Sequence, residues 1–119
     1  MLINLIKNAA ESIGQRGAIT LRTRTQPGRH GGRPAHVAVL EIEDTGRGIP
    51  PEIQKRLFDP FFTTKETGTG LGLSIAARIL EKHGGALEYQ TQAGRGTVFS
   101  VILPIAQSHD HELRQNSFN

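Results

Sequence analysis

The chain has 119 residues, 36% of them hydrophobic, and no cysteine, which allows one domain with one core and excludes disulfides and thiolate metal sites. No stretch approaches the ~20 apolar residues of a membrane span, and the start lacks the charged-then-apolar order of a signal peptide, so a soluble, cytoplasmic unit is expected. The formal net charge is +3, but the arginines are scattered and a single tyrosine is available to stack a base, so no nucleic-acid partner is expected.

In LINLIKNAAESI the apolar residues Leu2, Leu5, Ile6, Ala9 and Ile13 recur at helical spacing, and Gly14 and Gly17 end the pattern. AITLRTRT alternates Ile19, Leu21 and Thr23 against Thr20, Arg22 and Arg24, as a strand with one face in the core does. A hairpin loop rich in Gly and Pro follows, and Arg22, Arg24, Arg29 and Arg33 read as its solvated strand face and loop. HVAVLEIED is the next strand, with Leu40, Ile42 and Asp44 on one face and Val37, Val39, Glu41 and Glu43 on the other.

PPEIQKRLF is a short helix entered through prolines, and DPFFTTKETGTG, without periodicity, is a mobile loop. LGLSIAARILEKH places Ile75, Ala76, Ile79 and Leu80 on one helical stripe, with Gly84 and Gly85 as a stop. ALEYQT and TVFSVILP, joined by QAGRG, form an antiparallel hairpin that Pro104 ends. The tail from Ile105 is polar; its HDHE run lacks helical or strand context, and no metal is assigned to it. The whole succession predicts an α+β fold, a two-layer sandwich with helices on one face of a mixed or antiparallel sheet.

Three constellations carry chemistry. Asn4 and Asn8, four residues apart, share a helical face with Glu11, either as a solvated face or as a polar wall aimed at a ligand; an amide oxygen there suits magnesium, which prefers hard oxygen donors. Asp44, ending its strand on the side of Leu40 and Ile42, either caps a tight turn or accepts a hydrogen bond from an exocyclic amine, with Gly46 and Gly48 letting the backbone approach a flat ring. GTGLGLS opens a helix with Gly68, Gly70 and Gly72, whose bare N–H groups beside a positive helix end suit phosphate, and Lys65 adds a mobile cation upstream.

In this order, NLIKNAAESI, DTGRGIP, FDPFFTTK and GTGLGLS resemble the asparagine box, first glycine box, phenylalanine box and second glycine box of the ATP-binding catalytic domain of sensor histidine kinases. The resemblance runs from residue 2 to Pro104, leaving 105–119 as a tail, and looks closest to the nitrogen-regulation branch. It implies the Bergerat sandwich, with ATP and magnesium as cofactors. It also implies roles: Asn8 as magnesium ligand and Asn4 on the phosphate side; Asp44 on the adenine amine, with Gly46, Gly48 and Ile49 shaping the ring pocket. Phe58, Phe61 and Phe62 would anchor the stem of a lid, and Thr64, Lys65, Gly68, Thr69, Gly70, Leu71 and Gly72 would close over the phosphates.

Two departures bear on function. The family domain begins upstream of the asparagine box, so an N-terminally truncated sheet lacking an edge strand, and self-association through that edge, are expected. The dimerising hairpin with its phosphoacceptor histidine has no counterpart either: His30, His36, His83, His109 and His111 fall in loops, a helix end or the tail. The implied partners are therefore ATP, the kinase's separate dimerisation domain and, indirectly, a response regulator. Hydrolysing ATPases of the same fold carry a glutamate four residues before the magnesium asparagine; here that residue is Asn4, which cannot take a proton.

Overall fold

The computed structural model describes residues 2–14, 16–61 and 72–105. The chain runs α1 (Leu2–Ile13), β1 (Ile19–His30), β2 (Arg33–Asp44), α2 (Pro51–Gln54), α3 (Gly72–Lys82), β3 (Ala86–Gln92) and β4 (Gly96–Pro104), the succession that the sequence patterns predict. The four strands form one sheet in the order β1-β2-β4-β3. Every ladder in it is antiparallel, so of the two sheet types expected the mixed one gives way.

α1 and α3 lie together on one face of this sheet. Leu5 and Ala9 of α1 and Leu80 of α3 close over Ile42, Phe99 and Val101, with Leu40, Leu87 and Tyr89 packed around them. At 100° per residue, α1 turns Leu5, Ala9 and Ser12 toward the sheet. Asn4 and Asn8 then flank that line on one side, and Leu2 and Ile6 on the other, rather than the amides standing opposite the apolar stripe.

Four local expectations change. The Gly- and Pro-rich stretch predicted as a hairpin loop is mostly strand: β1 continues through Pro27 to His30, and only Gly31 and Gly32, at φ 61° and 80°, make the turn. Two consecutive positive φ values are what a twisted two-residue hairpin needs, and Pro27 is tolerated because β1 is an edge strand. The stripe of α3 is rotated: Ala76 and Leu80 are buried, while Ile75 and Ile79 are exposed. Leu73 takes their place on the inner side, because Leu73, Ala76 and Leu80 follow one another at helical spacing and fill the space over the sheet.

On β2, Val37 and Val39 are buried although they face away from the helices. Their cross-strand neighbours are Gln26 and Pro104 for Val37, Arg24 and Ile102 for Val39, whose long or apolar side chains cover them. Leu21 pairs with Ile42 and thus faces the helix layer, yet is 53% exposed against 1% for Ile42. α1 packs over β2 and β4 and stops short of β1. An apolar groove of about 300 Å³ is left there, lined by Leu2, Thr23, Leu40 and Leu103 among others. It lies toward the opposite end of β2 from Asp44, away from the constellations described above. Among the described residues, no helix is long and apolar enough to cross a membrane.

Candidate functional site

The site follows one edge of the helix layer. Residues 4, 8 and 12 lie a helical turn apart along α1, so the row Asn4, Asn8, Ser12 spans about 12 Å at 1.5 Å per residue. At one end, Ser12 Oγ lies 3.5 Å from Asp44 Oδ1, a long hydrogen bond. At the other, a Cβ placed on Gly72 would come 3.6 Å from Asn4 Cβ, so the start of α3 sits beside Asn4. Asp44 and the opening turn of α3 therefore mark the two ends of a track of half-buried amides. Its length is comparable with that of an extended nucleoside triphosphate.

Asp44 is 5% exposed. A carboxylate so buried needs hydrogen bonds, and the two recorded among the described residues, from the Gly46 N–H at 2.9 Å and from Ser12, both go to Oδ1. Neither of these bonds uses Oδ2. The Gly46 bond is the Asx turn of the capping reading. Gly46 is required for a steric reason: a Cβ there would collide with Ser12 Oγ. At Gly48 a Cβ would lie 2.6 Å from the Gln92 carbonyl, and its φ of 79° already favours glycine. The two glycines thus let the segment after β2 pass between the end of α1 and the β3–β4 hairpin.

Both backbone polar groups of Ile49 are held. Its N–H donates to Thr91 Oγ1 at 2.9 Å, and its carbonyl accepts from Gln54 Nε2 at 2.9 Å. Tyr89 donates its hydroxyl to Gln54 Oε1 at 3.3 Å, and its ring stacks tilted on both Phe58 and Phe99, each at 5.9 Å between centroids. Phe58 is thereby packed, whereas Phe61 is 74% exposed at φ 68°. Phe62, Thr64, Lys65, Gly68, Thr69, Gly70 and Leu71 lie outside the described residues. Among the described residues no group of three His, Asp or Glu side chains could hold a metal.

Sequence reasoning missed Ser12, Gln54, Thr91 and Thr97. Thr97 is 4% exposed, stands opposite Asp44 in the β2–β4 ladder, and shares a 2.8 Å contact between hydroxyls with Thr91. A signal existed: Thr91 and Thr97 follow Tyr89 and precede Phe99 by two residues, so period two already placed both hydroxyls on the core face.

Residues 1–107 match the model of the family described as histidine kinase-, DNA gyrase B-, and HSP90-like ATPase. Over 108 residues the chain is 46% identical to the sensory histidine kinase/phosphatase NtrB of Salmonella typhimurium, covering 88% of this chain and 31% of that protein. Over 105 residues it is 42% identical to sporulation kinase C of Bacillus subtilis, covering 88% of this chain and 23% of that one. It therefore spans less than a third of either curated relative. A solved structure of the mycobacterial sensor histidine kinase MprB superposes with a TM-score of 0.69 at 33% identity, over 87% of this chain and 66% of that one.

Proposed function

We propose, from the premise that this chain belongs to the histidine kinase-, DNA gyrase B-, and HSP90-like ATPase family, that its site binds ATP with magnesium for transfer of the γ-phosphoryl group to a histidine on a separate dimerisation domain. The observation that carries this reading is the buried Asp44, whose Oδ1 accepts from Gly46 and Ser12 in bonds that leave Oδ2 unused. Oδ2 accepts the amine of the base, Gly48 and Ile49 wall the ring, and the Asn4–Asn8 row runs along the phosphates. Magnesium suits these donors: neutral amide oxygens are hard ligands, and this ion keeps most of its shell as water and phosphate oxygen. Asn8 would hold it, and it would offset the charge of the transferring group.

Lys65 and the second glycine box, with Thr64, Thr69 and Leu71, complete the phosphate side in this reading, and Phe58 anchors the stem from which that segment departs. Asn4 stands where a hydrolytic relative would need a base for water, and an amide cannot serve as one, so transfer rather than hydrolysis is the chemistry. The partners in this reading are the kinase's dimerisation and phosphoacceptor domain and, indirectly, a response regulator, and the setting is cytoplasmic.

Calorimetry without magnesium separates the roles. Asp44→Asn weakens ATP binding tenfold or more, the order expected for losing a hydrogen bond to a charged group. Asn8→Ala changes it little until magnesium is added. Equal losses in the two variants without metal would refute the assignment of Asp44 to the base. Transfer itself is tested by mixing the chain and Mg·ATP with a separate phosphoacceptor domain and looking for phosphohistidine.

A further inference from the structure

We infer that Thr91 is a positioning residue for the base pocket: its hydroxyl, with Gln54 on the other side, fixes the backbone at Ile49 and so decides how well the pocket grips the base. The inference rests on the adenine reading of Asp44 and goes beyond it to residues in none of the four sequence boxes.

The segment Arg47–Ile49 belongs to no helix or strand, so it depends on contacts from outside itself. The β3–β4 hairpin supplies them. The Gly94 N–H donates to the Arg47 carbonyl at 2.9 Å, Gly48 lies against the Gln92 carbonyl, and the Ile49 N–H donates to Thr91 Oγ1 at 2.9 Å. Of these, the Thr91 bond alone is made by a side chain, so it can be removed without altering the backbone. Gln54 fixes the Ile49 carbonyl from the opposite side, and Tyr89 holds Gln54 in turn. The Ile49 N–H and C=O belong to the two peptide planes that flank its Cα, so with both bonded the backbone at residue 49 cannot change φ or ψ without straining one of the bonds.

Thr91 also has a proton to dispose of. Having accepted from Ile49, it donates either to Thr97 Oγ1, 2.8 Å away, or to the Gly96 carbonyl at 3.3 Å. In the first case the Thr97 proton is released; in the second, Thr97 donates to Thr91. Thr97 stands opposite Asp44, so the same hydroxyl that anchors Ile49 sets the donor direction beside the carboxylate. Both effects act on the base and neither on the phosphates.

That asymmetry gives the test, run on the whole 119-residue chain. Thr91→Val keeps the shape and removes the hydroxyl; Thr91→Ser keeps the hydroxyl. Affinities for Mg·ATP and for magnesium with inorganic triphosphate are compared in both variants and the parent. Thr91→Val should lose about tenfold for ATP, as an orphaned buried N–H implies, and nothing for triphosphate, while Thr91→Ser stays within about threefold of the parent. Equal losses for both ligands, or none for ATP, would overturn the inference. A parent that prefers neither ligand would instead overturn the base-pocket reading on which it stands. Should Thr91→Val fail to fold, amide exchange of Ile49 in the parent decides: protection supports the clamp, and exchange at the rate of an open amide refutes it.

Discussion

In the proposed reading the two oxygens of the Asp44 carboxylate divide two tasks, the turn and the base. Oδ1 closes the turn through Gly46, and the hydroxyl of Ser12 leans on the same atom. Such a division needs the segment after β2 to run against α1 without a side chain between them, which is why position 46 tolerates no Cβ. Gly46→Ala should therefore damage binding more than folding: the methyl pushes Ser12 and the turn apart, and the carboxylate loses its orientation. We expect ATP affinity to fall by about tenfold or more, with a melting temperature lowered by several degrees, about what a cost of 1 to 2 kcal/mol does in a domain of this size. An unchanged titration in a folded Gly46→Ala protein would show that this contact does not position Asp44.

At the scale of elements, the helix layer covers only part of the sheet. Leu80, on the inner side of α3, is 1% exposed, whereas Leu21, on the face of β1 that looks toward the helix layer, is 53% exposed. Leu80→Ala should accordingly cost about 2 to 5 kcal/mol in urea unfolding, the range for emptying a core leucine site, whereas Leu21→Thr should stay within about 0.5 kcal/mol. Comparable losses at the two positions would mean that β1 is covered after all. The same pair shows what the sequence could reveal. Period two correctly grouped Leu21 with Ile19 on β1 and Ile42 with Leu40 on β2, and helical spacing correctly placed α1 and α3, since both follow from the chain's local geometry. Which residues on a face are covered depends on how far a helix reaches and how it is rotated. That depends on partners distant in sequence, so Ile75 and Ile79 were assigned to a core they only border. The turn after β2, with Asp44, Gly46 and Gly48, was legible because its spacing is local. Thr91 and Gln54 were not, because their importance comes from meeting Ile49, 42 and 5 residues away.

Among the described residues, β1 joins the rest of the sheet only through β2, and on the outer face that junction carries four charges. Arg24 reaches Glu41 at 2.8 Å, Arg22 lies 3.4 Å from the same carboxylate, and Arg22 also pairs with Glu43. The hydrogen bond from Arg24, partly opposed by burial and reinforced by both arginine charges, holds the Glu41 carboxyl below its ordinary value of 4.5. The pairing conversely raises Arg22 above its usual range, chiefly through its hydrogen bond to Glu43. A carboxyl whose folded-state pKa is depressed contributes stability that is fully present above its unfolded value and disappears as the pH falls through the lower, folded one. Protonating Glu41 leaves Arg22 and Arg24 side by side on a strand with no second neighbour, in a chain that already carries +3. Each exposed pair contributes little alone, but here the pairs converge on the single junction that retains β1. The midpoint of urea unfolding should thus fall as the pH drops below about 4.5, more steeply in the parent than in Glu41→Gln, whose neutral amide has no such charge to lose. Added salt should weaken the contrast by screening exposed charges. Parallel acid limbs in the two proteins would show that the quartet does not staple the edge strand.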